Sequence, residues 1–463
     1  MSDAAGIIER IAAEGIRTVD FRFTDLAGRS RHLGREASGL DAGLLARGLF
    51  IDGSAVPGWR EVTEADLLLR PDLATAFADP FSAQPTLVIL CDVADPATGL
   101  GYERCPRSAA LRAETYLRGC RHADAVRVAV ELAFYLLDEA KVGCGPLCAE
   151  YGLAQAERGR PGGREGQGIT RESGYLAQPP ADHMADIRAE IASVMAGLGV
   201  PGLVQAHGRG AGQNQLCLGT AGLVETADRL QTLKYVVHQV AAAYGKVATF
   251  MPKPLADATG SGLSVHQSLW REGKPTFAGQ GYADLSRLSL QFVAGVMAHA
   301  RALNAFTNPT TNSYKRLRPG QDEPTLIAYA AHNSSAAIRI PYAAHAEEKR
   351  LELRFPDPTA NPYLALVAIL MAGLDGIEQR LAPGDAMDRN LYDLPADQAE
   401  DLASVSRSLA EALDALEADH DFLTRGDVMP VDLIEAYVAV KRRGCEEGDR
   451  SPPPMEYRLY PDL

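Results

Sequence analysis

Four short segments place polar or small side chains two residues apart inside runs that otherwise read as strands. They are Glu131-Leu-Ala133, His207-Gly-Arg209, Ser264-Val-His266 and Glu352-Leu-Arg354. Positions i and i+2 of a strand project to the same side of a sheet. A carboxylate, an imidazole and a guanidinium on buried strands need a partner or a metal, because an unpaired buried charge is costly. Such a set suits a cleft with metal or anion chemistry. The same residues also admit a structural reading, in which Glu131 or Glu352 pairs with Arg339, Arg350 or Arg354 across a sheet. Spacing alone leaves both open.

Two further motifs carry less. Cys144 and Cys148 stand close together in CGPLC, but no histidine lies at ligand spacing, so they read as free thiols beside a turn. The run Gly197-Leu-Gly199-Val-Pro-Gly202 has the form G-x-G-x-x-G. It follows a helix, whereas a dinucleotide-binding turn follows a strand and opens a helix, so a helix cap and turn is expected.

The elements that would hold these side chains are legible in the periodicity. IRTVDFRF (16–23) alternates as a half-buried strand, DLAG reads as a turn, and RSRHL returns as a hairpin partner. TLVILCDV (86–93) is apolar enough for a strand buried on both faces. The turn-rich stretch 95–106 marks a boundary, after which a helix begins at RSAALRAETYLRG. AVRVAVELAFYLLD (125–138) alternates as a strand, and Gly159 to Gly168 reads as a flexible loop. Helices are expected from Asp182 to Leu198, Glu225 to Tyr244, Ser406 to Ala418 and Pro430 to Arg442.

The whole composition narrows the function classes. The chain has 463 residues, 46 basic and 60 acidic side chains, a net charge of −14 and 46% apolar residues. Disorder on the scale of the chain is excluded, and the acidic balance speaks against binding nucleic acid or anionic lipid. Seven cysteines without a Cys-x-x-Cys pair suit a reducing compartment. The N-terminus lacks a signal-peptide pattern, and the strongly apolar run Tyr363 to Leu374 is too short to span a bilayer. A cytoplasmic protein acting on a small molecule, with no nucleic acid or membrane partner, is expected.

Longer stretches carry a resemblance. VDFRFTDLAGRSRHL, LKYVVHQVAAAYGKVATFMPKP, TNPTTNSYKRLRPG, SAAIRIPYA, LELRFPDPTANPYLALVAILMAGLDGI and NLYDLP follow one another in this order. In these the chain resembles the bacterial type-I glutamine synthetases from near residue 15 onward. The resemblance implies an α+β fold: an N-terminal β-grasp domain over 1–103 and a catalytic α/β domain over 104–463 with a strand-lined central funnel. It also implies homo-oligomeric rings whose active sites form between subunits. The family's reaction transfers the ATP γ-phosphoryl group to the glutamate side chain, and an amine then displaces phosphate, with two divalent metals neutralising charge.

Carried over residue by residue, the resemblance gives a mixed site. Glu131 and Glu352 match metal ligands, but Ala133, His207 and Gln215 stand where the family has glutamates, and Ser264 where it has a histidine. Asp52, Asp322 and Arg339 match catalytic positions; Gly260, Arg316 and Arg354 match substrate contacts; His266, Ser268 and Arg350 match nucleotide-side positions. Ser334 and Glu347 replace basic residues near the phosphates, and Tyr392 matches a tyrosine that some members adenylylate. Mg²⁺ prefers oxygen ligands, so the loss of three carboxylates predicts that the two-magnesium route is abandoned. The expectation is a repurposed enzyme for an amino-acid-like or amine-bearing molecule. His207 and His266 would join Glu131 and Glu352 around one transition metal (Zn, Fe, Cu or Ni). Two alternatives stand beside it: an ATP- and Mg²⁺-dependent ligase making glutamine or a γ-glutamyl amine, and a catalytically silent oligomeric scaffold.

Overall fold

A computed structural model describes residues 3–145, 148–158, 169, 173–319, 323–395, 398, 402–450 and 453. Helix α1 (Ala4–Ala13) begins where the Asp3 carboxylate accepts from the Gly6 N–H, and it buries Ile7 and Ile11. Strands β1 (Thr18–Thr24) and β2 (Ser30–Glu36) form the expected hairpin, with Gly28 supplying the positive φ of its turn. Helix α2 (Ala42–Arg47) leads to β3 (Leu49–Asp52), β4 (Asp66–Pro71), β5 (Phe77–Ala78) and β6 (Thr86–Ala94). The sheet order is β2-β1-β6-β4-β3, with β5 beside β6 and β1 parallel to β6. The interior place of β6 explains why nearly all of its side chains are buried.

Helix α3 (Pro106–Gly119) opens the larger unit, followed by the long β7 (Ala125–Leu137) and a hairpin of β8 (Glu139–Gly145) and β9 (Cys148–Ala154). Cys148 is exposed at the hairpin's turn. Next come α4 (Ala185–Gly197), β10 (Val204–His207), β11 (Gln213–Ala221), α5 (Leu223–Ala243) and β12 (Val247–Thr249). The Gly197–Gly202 run is the end of α4 and the turn after it, with positive φ at Gly199 and Gly202. Then follow β13 (Leu263–Arg271), β14 (Lys274–Pro275), α6 (Arg287–Ala298), α7 (Ala300–Thr307) and α8 (Ser313–Arg316). The chain ends with β15 (Tyr329–Ala331), β16 (Ile338–Ile340), β17 (Leu351–Leu353), α9 (Pro362–Glu378), α10 (Leu409–Ala418), α11 (Asp421–Thr424) and α12 (Val431–Arg450). Helix α12 runs well past the Arg442 expected from its apolar stripe. The glycine-rich stretch 159–168 lies outside the described residues.

The second sheet is ordered β10-β11-β7-β13-β17-β16-β15, antiparallel except for β15 and β16. On one face Val126, Val128, Val130, Leu132 and Phe134 of β7 join Leu216, Val265, Leu351 and Leu353 in the core. Helices α5 and α9 cover that face. The run 362–377 of α9 is buried throughout, so its apolar stretch is a core helix. Helix α6 crosses α9 at bare backbone: a Cβ on Gly295 would sit 2.1 Å from the Ala372 carbonyl oxygen.

Behind this core an ionic cluster ties α6, α7 and α9 to the segment 419–425. His299 turns Nδ1 to Asp419 (2.8 Å) and Nε2 to Asp375 (3.1 Å), and it stacks on Phe422. Arg425 also pairs with Asp375. Burial opposes the imidazolium charge, yet the two carboxylates raise the His299 pKa above its ordinary 6.5. A raised folded pKa contributes stability that is complete below the unfolded value and is lost as pH rises through the folded one. The thermal-midpoint gap between the native chain and His299→Gln should therefore be wider near about pH 6 than near about pH 8.5. An equal gap at both would mean that the cluster holds a neutral ring.

Candidate active site

Register decides which side chains meet on the face of the second sheet opposite the core. In β7 the alternate positions Arg127, Ala129, Glu131 and Ala133 share this face. Pairing brings Cys217 and Ser264 opposite Glu131, Gln215 opposite Ala133, His266 opposite Ala129 and Glu352, and Arg339 opposite Glu352. Residues directly opposite in an antiparallel pair project together. One surface therefore carries Glu131, Ala133, Gln215, Ser264, His266, Glu352 and Arg339.

The side chains are wired to one another. His266 Nε2 donates to Glu131 Oε1 (3.0 Å), and the Gln215 amide donates to Glu131 Oε2 (2.9 Å). Arg350 Nε–H points at His266 Nδ1 (3.4 Å). With Nδ1 accepting and Nε2 donating, a relay runs Arg350 to His266 to Glu131. The hydrogen bond from His266, more than any other influence, holds the Glu131 pKa below its usual value. Glu352 is paired with Arg339 (2.6 Å) through one oxygen and with Arg354 (3.2 Å) through the other. The arginine pairing open at the sequence level is present for Glu352, whereas Glu131 is held by His266 and Gln215 instead.

Beside this strip lies a cavity of about 380 Å³ lined by Arg127, Glu131, Cys217, His266, Ser268 and Arg350, with Glu347 and Glu348 at its rim. The Arg127 guanidinium lies 3.7 Å from the centre of the Trp270 ring, and Trp270 Nε1 donates to Ser268. Of the eight buried side-chain polar atoms without a hydrogen-bond partner among the described residues, four belong to Arg339 (Nε), Arg354 (Nη1), Arg316 (Nε) and Ser261 (Oγ). Unmet guanidinium N–H groups in a cleft suit carboxylate or phosphate oxygens.

Other expected residues take different places. Arg316 is buried, and its guanidinium is held by the carbonyls of Arg354, Phe355 and Pro356 and by Glu323. It braces the turn that carries Arg354. Gly260 and Gly262 leave room for it, since a Cβ at Gly260 would lie 2.7 Å from Arg316 Cγ. Asp52, at the end of β3, accepts from the Ser54 hydroxyl and N–H, which lower its pKa, and so it caps a turn. Tyr392 donates to the Ser334 carbonyl. Asp322 lies outside the described residues.

His207 corrects an expectation. It pairs with Asn214 in the ladder, one step out of phase with Gln215, and so it leaves the Glu131 face. There it is fully buried, with Nε2 on Glu157 (3.0 Å) and Nδ1 on the Gly208 carbonyl (2.7 Å). Burial disfavours its charge, but these acceptors raise its pKa, while Glu157 is held low by His207 and the N–H groups of Gly212 and His183. Glu157, Asp182 and His207 come within metal-binding reach of one another. Both ring nitrogens of His207 donate, however, and Asp182 pairs with Arg188. The two-histidine, two-carboxylate set around one transition metal is not assembled. Nothing in the local sequence marks Glu157, which only tertiary folding brings to His207.

The comparisons with known proteins agree along the whole chain. Residues 15–96 match the glutamine synthetase β-grasp domain, and residues 103–460 match the glutamine synthetase catalytic domain. The chain belongs to the glutamine synthetase family. It is 46% identical to the glutamine synthetase of Azospirillum brasilense over 466 residues, covering 99% of each chain. It is 43% identical to that of Azotobacter vinelandii over 460 residues, covering 98% of each. The Plasmodium falciparum glutamine synthetase structure superposes with a TM-score of 0.90 at 25% identity, covering 99% of each chain. A GmaS/ADP complex gives 0.83 at 29%, covering 100% of each.

The β-grasp domain and the strand-lined catalytic domain are those of the glutamine synthetase family, whose members are carbon–nitrogen ligases. Full-length likeness to glutamine synthetases overturns the expectation of a repurposed enzyme, and it gives the silent scaffold no support. Among the described residues no helix is long and apolar enough to cross a membrane.

Proposed function

We propose that this chain joins an amine to the side-chain carboxylate of a glutamate-like substrate at the expense of ATP, with an altered cation site in the funnel. The observation that carries the reading is the pair of buried, unpartnered guanidinium atoms, Arg339 Nε and Arg354 Nη1, beside Glu352. They can take the oxygens of a carboxylate and of a transferring phosphate. His266, Ser268 and Arg350 line the cavity where the nucleotide would lie, and the Gly260 backbone would contact the substrate. Arg316 acts by holding Arg354 in place. The division at 103/104 would separate the β-grasp domain from the catalytic domain.

The family implies ATP with Mg²⁺. The donor set on this face does not fit a pair of such ions, because Ala133, Gln215 and Ser264 add no charge and both carboxylates are already paired. What the chain itself supplies is binding and orientation by arginines. In a ring of copies, Asp52 would complete a neighbour's funnel and take the proton of the incoming ammonium.

The test is ADP release together with mass spectrometry of the product, with ATP, Mg²⁺, glutamate and ammonia or a small primary amine. ADP formation should require both the acid and the amine and should match amide formed. Background ADP release with every combination would sink the reading. Subunit sharing has its own check: co-expressed Asp52→Ala and Arg339→Ala chains, each inactive alone, should recover part of the activity in mixed oligomers. No recovery would place Asp52 outside the site.

A further inference from the structure

We infer that this funnel holds the anionic tail of its nucleotide by side-chain charge, without the divalent-cation pair. The inference rests on the funnel being the nucleotide site, and it goes beyond that reading in naming what neutralises the phosphates. A Mg²⁺ ion needs about six oxygens at about 2.1 Å in near-octahedral order, and it gives up water reluctantly. Each oxygen of the two remaining carboxylates on this face already has a partner. Glu131 takes an N–H from His266 on one oxygen and an amide hydrogen from Gln215 on the other. Glu352 gives one oxygen to Arg339 and the other to Arg354. Opposite Glu131 stand Cys217 and Ser264, and opposite Gln215 stands Ala133, so no neighbouring carboxylate shares a cation with Glu131.

Seating a cation on Glu352 would require a guanidinium to let go and then to remain beside the ion. Two like charges about 4 Å apart in a partly buried cleft repel by several kcal/mol before any relaxation. The same guanidinium groups are short of acceptors, since Arg339 Nε and Arg354 Nη1 are buried with nothing to bond. The sheet face and the cavity beside it present Arg127, Arg339, Arg350 and Arg354 against Glu131 and Glu352, with Glu347 and Glu348 at the outer rim. Phosphate oxygens meet both needs: they satisfy the free N–H groups and balance the inner arginines. Arginine forks suit such oxygens geometrically as well as by charge.

The test reads binding rather than turnover. Mn²⁺ is titrated into the full-length, nucleotide-free oligomer while free Mn²⁺ is followed by its electron paramagnetic resonance signal. ADP affinity is then measured by calorimetry in Mg²⁺ and in EDTA. The signal should rise as in buffer, and the ADP dissociation constant should change by less than about tenfold between the two buffers. Saturable Mn²⁺ binding by the nucleotide-free chain, or a larger loss of ADP affinity in EDTA, overturns the inference. The Ala133→Glu, Gln215→Glu, Ser264→His triple variant should gain saturable Mn²⁺ binding. If it folds, by circular dichroism, and gains none, the donor set is not the cause and the inference falls. If the triple variant does not fold, the wild-type titration still decides. Absence of ADP binding in both buffers, with no turnover, would instead remove the proposed function.

Discussion

Arg339→Ala should lower kcat/KM for amide formation about 100-fold, the scale seen when one preorganised donor to a developing charge is removed. Arg339 stands on β16 with one nitrogen on Glu352 and another, Nε, buried without an acceptor. The bonded nitrogen fixes the fork, and the free one is left for substrate or phosphate. Alanine removes both. Arg354 still pairs with Glu352 from the other side, so the strand should keep its place and the loss should appear in kcat more than in folding. Arg339→Lys should recover only part of the activity, because an ammonium cannot hold Glu352 and present a second, fixed N–H. Steady-state kinetics at saturating ATP checks this. A loss below about threefold would show that Arg339 only braces Glu352.

The largest stability effect is expected at Arg107, where α3 meets both domains. Its guanidinium reaches Asp72 (2.7 Å) just after β4, Asp92 (2.9 Å) on β6 and Asp228 (2.9 Å) on α5. Asp228 in turn accepts from the Tyr363 hydroxyl at the start of α9 (2.6 Å). The Arg107 side chain is 4% exposed, and removing it strands the buried Asp228 most, while Asp92 and Asp72 keep partial access to water. Burial already raises the Asp92 pKa against the pull of Arg107. Breaking a buried ion pair by deleting one partner costs about 3–5 kcal/mol, and Arg107→Ala should fall in that range. Urea unfolding at a single protein concentration measures it, since oligomerisation would shift the midpoint otherwise. A cost under about 1 kcal/mol would show that the carboxylates escape by protonation or by reaching solvent. The β-grasp and catalytic domains would then be held by apolar packing and by the remaining polar contacts, such as Tyr235 to Asp79 and Asn361 to the Asp25 carbonyl.

Much of the architecture was legible because apolar periodicity is a local property. The β1–β2 hairpin, β6, β7 and helix α5 stand within a few residues of where the alternation places them. Helix α4 starts three residues later than expected, at Ala185. Helix α12 extends to Arg450 because its last turns are polar and carry no stripe for a pattern to detect. The resemblance brought Glu131, His266, Glu352, Arg339 and Arg354 to one funnel, and the structure sets them on one sheet face.

The chain's residue types alone determined which charges this sheet face can carry: no fold can draw a carboxylate from Ala133, Gln215 or Ser264. They also determined the family, because ordered motifs along nearly the whole length leave little room for another frame. Tertiary structure decided what each surviving group does. Strand phase, a property of pairing rather than of neighbours in sequence, turned His207 away from Glu131 and gave it to Glu157. Cross-strand distances closed Glu131 with Gln215 and His266, and Glu352 with two arginines, while leaving two guanidinium atoms unmet. Charge pairing depends on separations of a few ångströms between residues far apart in the chain, so sequence can supply the charges but not say which of them cancel.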